Sequence, residues 1–221
     1  MSWFSEFARS SLGKKFFMAV SGLFLISFLI VHLAGNLLLF QGPAEFNEYS
    51  RFMSNSPLIR FMEILLAIGF LAHIVYAYIL AYKNRQSRPH RYAVKNNSPA
   101  SFASRTMPFT GSFVLIYLIV HINSFTVKHR FLERENTDFY RTVVEAFQYG
   151  WGGFYWLFYV IAMAILAIHL NHGFQSAFQT LGFHHNKYTP LIKKLGSLIA
   201  LAIPAGFASI PIYFYFFAPK I

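Results

Sequence analysis

Along the chain, five long apolar runs alternate with short stretches that hold nearly all the charge. The runs cover about residues 16–40, 61–82, 108–127, 154–178 and 195–217. Each is near or above the roughly 20 residues that a helix needs to cross about 30 Å of hydrocarbon. In lipid the backbone groups of an open strand find no partner, so each run predicts a helix. The expected fold is an all-α integral membrane protein, with residues 1–221 forming one transmembrane domain and no obvious internal repeat. The connector at 41–60 carries Pro43 and Pro57, and a basic loop spans 83–105. The mixed-charge stretch 128–150 is long enough for a surface helix. Pro204 and Pro211 are expected to interrupt the last run.

Composition agrees with this pattern. Charged residues make up 12% of the 221 positions, about half the roughly 25% usual in soluble domains. The net charge of +11 sits in connectors, and no aromatic-basic surface suited to nucleic acid is evident. The absence of cysteine excludes disulfides, iron–sulfur clusters and thiolate chemistry within this chain. The first run is too long for a signal-peptide core and reads as a retained span. With the N-terminus on the cytoplasmic side, the inner segments hold twelve Lys and Arg against seven outside, and seven of eight acids fall outside. That asymmetry predicts an inner N-terminus and an outer C-terminus.

The informative polar residues are histidines. His32, His73 and His121 lie one to a span in the first three spans, and His169 and His172 lie in the fourth. Ionisable groups at such depths are rare and usually functional. His32 and His121 fall about 16 and 13 residues along outward-running spans. His73 and His169 fall about 12 and 15 residues along inward-running ones. At 1.5 Å per residue they sort into an outer pair, His32 with His121, and an inner pair, His73 with His169 or His172. The last two are three apart on nearly one face, and spacing does not choose between them.

Two stacked pairs in a core made by the first four helices suit two bis-histidine haems, since facing helices can ligate a flat macrocycle from both sides. Gly35, Gly69 and Gly173 are expected to give the macrocycles clearance. Zinc is disfavoured because no third ligand converges on either pair. Any one such histidine could instead serve as a hydrogen bonder between helices. His90, His129, His184 and His185 fall in connectors and read as surface residues.

Several stretches carry a resemblance to a known family. They are Ser11-Leu-Gly-Lys-Lys15, Ser21-Gly-Leu-Phe24, His32-Leu-Ala-Gly-Asn-Leu37, Phe70-Leu-Ala-His73, Arg88-Pro-His-Arg-Tyr92, Thr110-Gly111 and His169-Leu-Asn-His-Gly173. In order and position the chain resembles the single five-helix, di-haem cytochrome b membrane anchor of succinate dehydrogenase and fumarate reductase, the cytochrome b558 type. The resemblance runs from Ser11 to the last helix.

It implies two b haems, the distal one on His32 and His121 and the proximal one on His73 and His169. The glycine four residues after His169 favours it over His172. It also implies a bacterial cytoplasmic membrane, an iron–sulfur subunit docked on the inner loops at 83–105 and 187–194, and a flavoprotein subunit beyond it that carries the dicarboxylate chemistry. Electrons would pass to or from a membrane quinone, menaquinone in this type, with Glu45, Glu48 or Glu63 as the outer acid that exchanges protons. Some relatives have a carboxylate just before the fourth-span ligand, proposed to return protons. Here that stretch reads Leu166-Ala-Ile168, so such a path is not expected. The rival readings are a di-haem cytochrome serving a hydrogenase or formate dehydrogenase, and a non-redox transporter or structural membrane protein.

Overall fold

In the computed structural model, residues 3–87, 99–132 and 138–221 are described, and every regular element among them is helical. A short α1 (Trp3–Arg9) leads into α2 (Ser11–Leu37). Ser10 caps α2, its hydroxyl accepting from the Gly13 amide at 2.9 Å, which satisfies one of the donors that a helix start leaves free. After one 3₁₀ turn come α3 (Pro43–Asn55) and α4 (Pro57–Gln86), each opening on a proline. Proline has no amide hydrogen to waste at that position.

The third crossing is α5 (Pro99–His121), continued by a π-helical segment, Ile122–Leu132. Then follow the surface helix α6 (Phe139–Tyr149), α7 (Tyr155–Thr180) and α8 (Thr189–Phe216). Five helical segments are long and apolar enough to cross a membrane, those beginning at Ser11, Pro57, Ser104, Tyr155 and Thr189. The chain is a multi-pass membrane protein by that criterion. The middle of the basic loop and the motif at 88–92 lie outside the described residues.

Two features differ from expectation. The 41–60 connector contains a full helix, α3, whose Phe46 is buried against Phe139 and Tyr140 of α6. Pro204 and Pro211 do not interrupt α8, which runs continuously through both. Each lies buried, and packing against neighbours is how a membrane helix tolerates the lost hydrogen bond.

Here α7 is central, packed most extensively on α8 and also on α5 and α2. By contrast α4 leans on α2, touches α5 at few points, and buries no residue. A hydrogen bond between Tyr78 and Ser112 (2.9 Å) bridges that looser α4–α5 edge. Mid-span side chains such as Ile68, Leu71, Ile116 and Leu201 are exposed, as expected of surfaces facing lipid tails.

One end of the molecule is capped. There α3, the π segment, α6 and the ends of α7 and α8 share a core that includes Leu39, Phe125, Phe147, Tyr155, Tyr159 and Phe214. The turn from α6 into α7 takes three successive left-handed residues, Trp151, Gly152 and Gly153. Trp151 bears the steric cost of that conformation and packs edge-on to Tyr155 at 4.9 Å. At the opposite end α7 stops in a Schellman motif, with Gly182 at φ 88° and the Phe183 amide donating to the Phe178 carbonyl at 3.0 Å.

The seat of α4 on α2 is close. A Cβ added at Gly69 would lie 2.8 Å from the Phe24 ring. Gly69→Leu should therefore push α4 off α2 and cost about 1–3 kcal/mol, the usual range for overpacking. A lowered thermal unfolding midpoint of the detergent-solubilised protein is the expected result, with an unchanged midpoint the contrary one.

Candidate functional site

The fold brings the four intramembrane histidines together in two pairs. The rings of His32 on α2 and His121 on α5 have centroids 5.8 Å apart at an interplanar angle of 87°. Those of His73 on α4 and His169 on α7 are 6.4 Å apart at 72°. His121 also touches Phe125 at 5.3 Å, which sets the first pair toward the capped end. His172 is half-buried one turn beyond His169, and it is His169 that faces His73. Among the described residues no third His, Cys, Asp or Glu joins either pair.

The second pair is held in one repeated way. Ser21 Oγ donates to the Met18 carbonyl at 3.1 Å and lies 3.3 Å from His73 Nδ1. Thr110 Oγ1 donates to the Met107 carbonyl at 3.1 Å and lies 3.3 Å from His169 Nδ1. Each hydroxyl has both a carbonyl of its own helix and a ring nitrogen within reach; with its hydrogen on the carbonyl, its oxygen would accept from Nδ1–H and leave Nε2 its lone pair.

The adjoining glycines make room. A Cβ at Gly22 would lie 3.3 Å from His73 Cε1, and one at Gly111 would lie 3.4 Å from His169 Cε1. Gly22 and Gly111, rather than Gly35 and Gly69, are the glycines against the rings. Gly35 accommodates Tyr49, Gly69 accommodates Phe24, and Gly173 opens onto free space.

The first pair is held differently. Tyr159 Oη lies 3.2 Å from His121 Nδ1 and 3.0 Å from Tyr155 Oη. His32 is fixed more by packing, with Phe28 stacked on it at 5.1 Å and Phe207 of α8 at 5.5 Å. Its ring nitrogens lie 3.4 and 3.5 Å from the Asn36 amide nitrogen, which is better placed on the His32 carbonyl at 2.8 Å.

Sequence reasoning did not assign Ser21, Thr110 or Tyr159 to the histidines. A signal for the first two was present. Ser21-Gly22 stands ten residues, counted from the glycine, before His32, and Thr110-Gly111 stands ten before His121. This is a short internal repeat on alternate spans, each copy cradling the histidine of another helix.

Of the three candidate acids, Glu63 is clamped. It is about one-third exposed, pairs with Arg60 at 3.0 Å, and takes two hydrogen bonds from Arg130. The clamp ties the start of α4 to the π segment. Glu45 and Glu48 lie on α3, where Glu48 borders a shallow cleft with Arg51 and Asn55. No family model, curated protein or solved structure matches the chain.

Ser21→Ala and Thr110→Ala should each remove a hydrogen-bond partner of a buried ring nitrogen, at a cost of about 1–3 kcal/mol. Thermal unfolding of the purified variants would register the loss. Unchanged stability in both would mean that the hydroxyls do not serve the rings.

Proposed function

We propose that this chain is the membrane-anchoring cytochrome b subunit of a succinate dehydrogenase or fumarate reductase, with one b haem on His32 and His121 and another on His73 and His169. The observation that carries the reading is the spacing of the two ring pairs. An imidazole nitrogen sits about 2.0 Å from a first-row metal ion, so two rings on opposite faces of one ion have centroids about 6 Å apart. The measured 5.8 and 6.4 Å fit that requirement. Two imidazoles alone do not complete a tetrahedral zinc site, whereas axial pairs of this kind suit haem iron. The hydroxyls of Ser21 and Thr110 beside Nδ1 of His73 and His169 add to the fit, because each could hold Nδ1–H and leave Nε2 to ligate.

Haem held by these histidines would supply one-electron redox chemistry. The chain's own residues do the rest. The four helices hold the rings at two depths, and the lipid-facing side chains keep water from them. The basic inner segments are the proposed docking surface for the iron–sulfur subunit, with the flavoprotein subunit beyond it. The excess of Lys and Arg there supports an inner N-terminus in a bacterial cytoplasmic membrane. Quinone, menaquinone by the resemblance, would exchange electrons at the capped end. Glu63 could take part in proton exchange there only after a guanidinium swings away, whereas Glu45 and Glu48 on α3 carry no such clamp.

The reduced-minus-oxidised spectrum and a pyridine haemochrome count should give two b haems per chain. His32→Ala or His121→Ala should remove one component, His73→Ala or His169→Ala the other, and His172→Ala neither. A colourless protein, prepared with haem supplied, would overturn the reading. Glu45→Gln, Glu48→Gln and Glu63→Gln should keep both haems. Normal quinone turnover in all three would remove these acids from the proposal.

A further inference from the structure

The two histidine pairs differ in what their Nδ1 atoms meet, and that difference has a chemical effect. On the His73 and His169 side the neighbours are aliphatic hydroxyls, each also within reach of a backbone carbonyl. On the His121 side the acceptor is a phenol inside a tyrosine cluster. Tyr159 and Tyr155 are 5% and 2% exposed, so water cannot stand in for either hydroxyl. With iron on His121 Nε2, the ring hydrogen would stand on Nδ1 and the Tyr159 oxygen would accept it, leaving the phenol hydrogen for Tyr155 at 3.0 Å; Tyr117 packs on Tyr159 at 4.9 Å and on His121 at 5.7 Å. Donating onward makes the phenol oxygen a better acceptor, since linked hydrogen bonds strengthen one another.

Resting on the di-haem reading, we infer that Tyr159, supported by Tyr155, lowers the reduction potential of the haem held by His32 and His121 and so sets it apart from the other haem. An acceptor on Nδ1–H draws that hydrogen outward and makes Nε2 a stronger donor to the metal. A stronger donor stabilises ferric iron over ferrous. Tyr159 acts through His121 and is a positioning residue. Its partner across the pair cannot do the same work, because Asn36 presents an amide N–H, not an acceptor, to the His32 ring.

The test is a potentiometric titration of the purified holoprotein, following both b-haem components optically, on the natural chain and Tyr159→Phe. The components are assigned by which one His121→Ala and His73→Ala each remove. In Tyr159→Phe both haems should remain, and the His121 component alone should move to higher potential. The expected move is about tenfold in its reduced-to-oxidised ratio, or about 59 mV for one electron.

If loss of the Tyr159 hydroxyl prevents accumulation, Tyr155→Phe leaves that hydroxyl beside His121 and removes only the group that supports it. It should move the same component in the same direction by less. Two haems with no shift, or an equal shift of both, would overturn the inference and leave the di-haem reading standing. A natural chain without haem would overturn the reading and this inference with it.

Discussion

An imidazole buried in a hydrocarbon layer has two nitrogens to satisfy, and lipid satisfies neither. Most of what distinguishes this protein follows from meeting that demand four times. At His73 and His169 one nitrogen is answered by a hydroxyl from a neighbouring helix, at His121 by a phenol, and at His32 chiefly by aromatic packing. The positions of α2, α4, α5 and α7 are consequences of that arrangement as much as of apolar contact, because lipid tails offer no hydrophobic gain for bringing helices together.

The fifth membrane helix has no histidine and still matters to the site. Packed along α7, and reaching His32 through Phe207, α8 braces the helix that makes most of the contacts in the bundle. Its prolines are buried. The same helix end is tied to α6 through Gln148, whose side chain donates to the Phe214 and Pro219 carbonyls at 3.2 and 2.8 Å. The capped end is therefore a continuous aromatic layer over His32 and His121.

Much of this was legible in the residues. Length and hydropathy gave the spans to within a few positions, because the bilayer sets a length that few other environments demand. Depth along the spans gave the partners of His32 and of His73, since rise per residue is fixed in a helix. Rotation about the helix axis was not legible, and the misplaced expectations trace to it. Gly35 and Gly69 stand near histidines in sequence but face Tyr49 and Phe24, whereas Gly22 and Gly111, far from His73 and His169 in sequence, lie against their rings. The π segment after His121 turns its side chains by a different period from an α-helix, which put Arg130 beside Glu63 beyond reach of a count along the chain.

The contact between Gly69 and Phe24 makes α4 a lever. Gly69 lies six residues from Glu63 on one side and four from His73 on the other, arms of about 9 Å and 6 Å at the rise of an α-helix. Rocking of α4 about that fulcrum would carry Glu63 and His73 in opposite directions, the movement at His73 being about two-thirds of that at Glu63. Three residues of one helix would then gear the arginine clamp to the His73 ring.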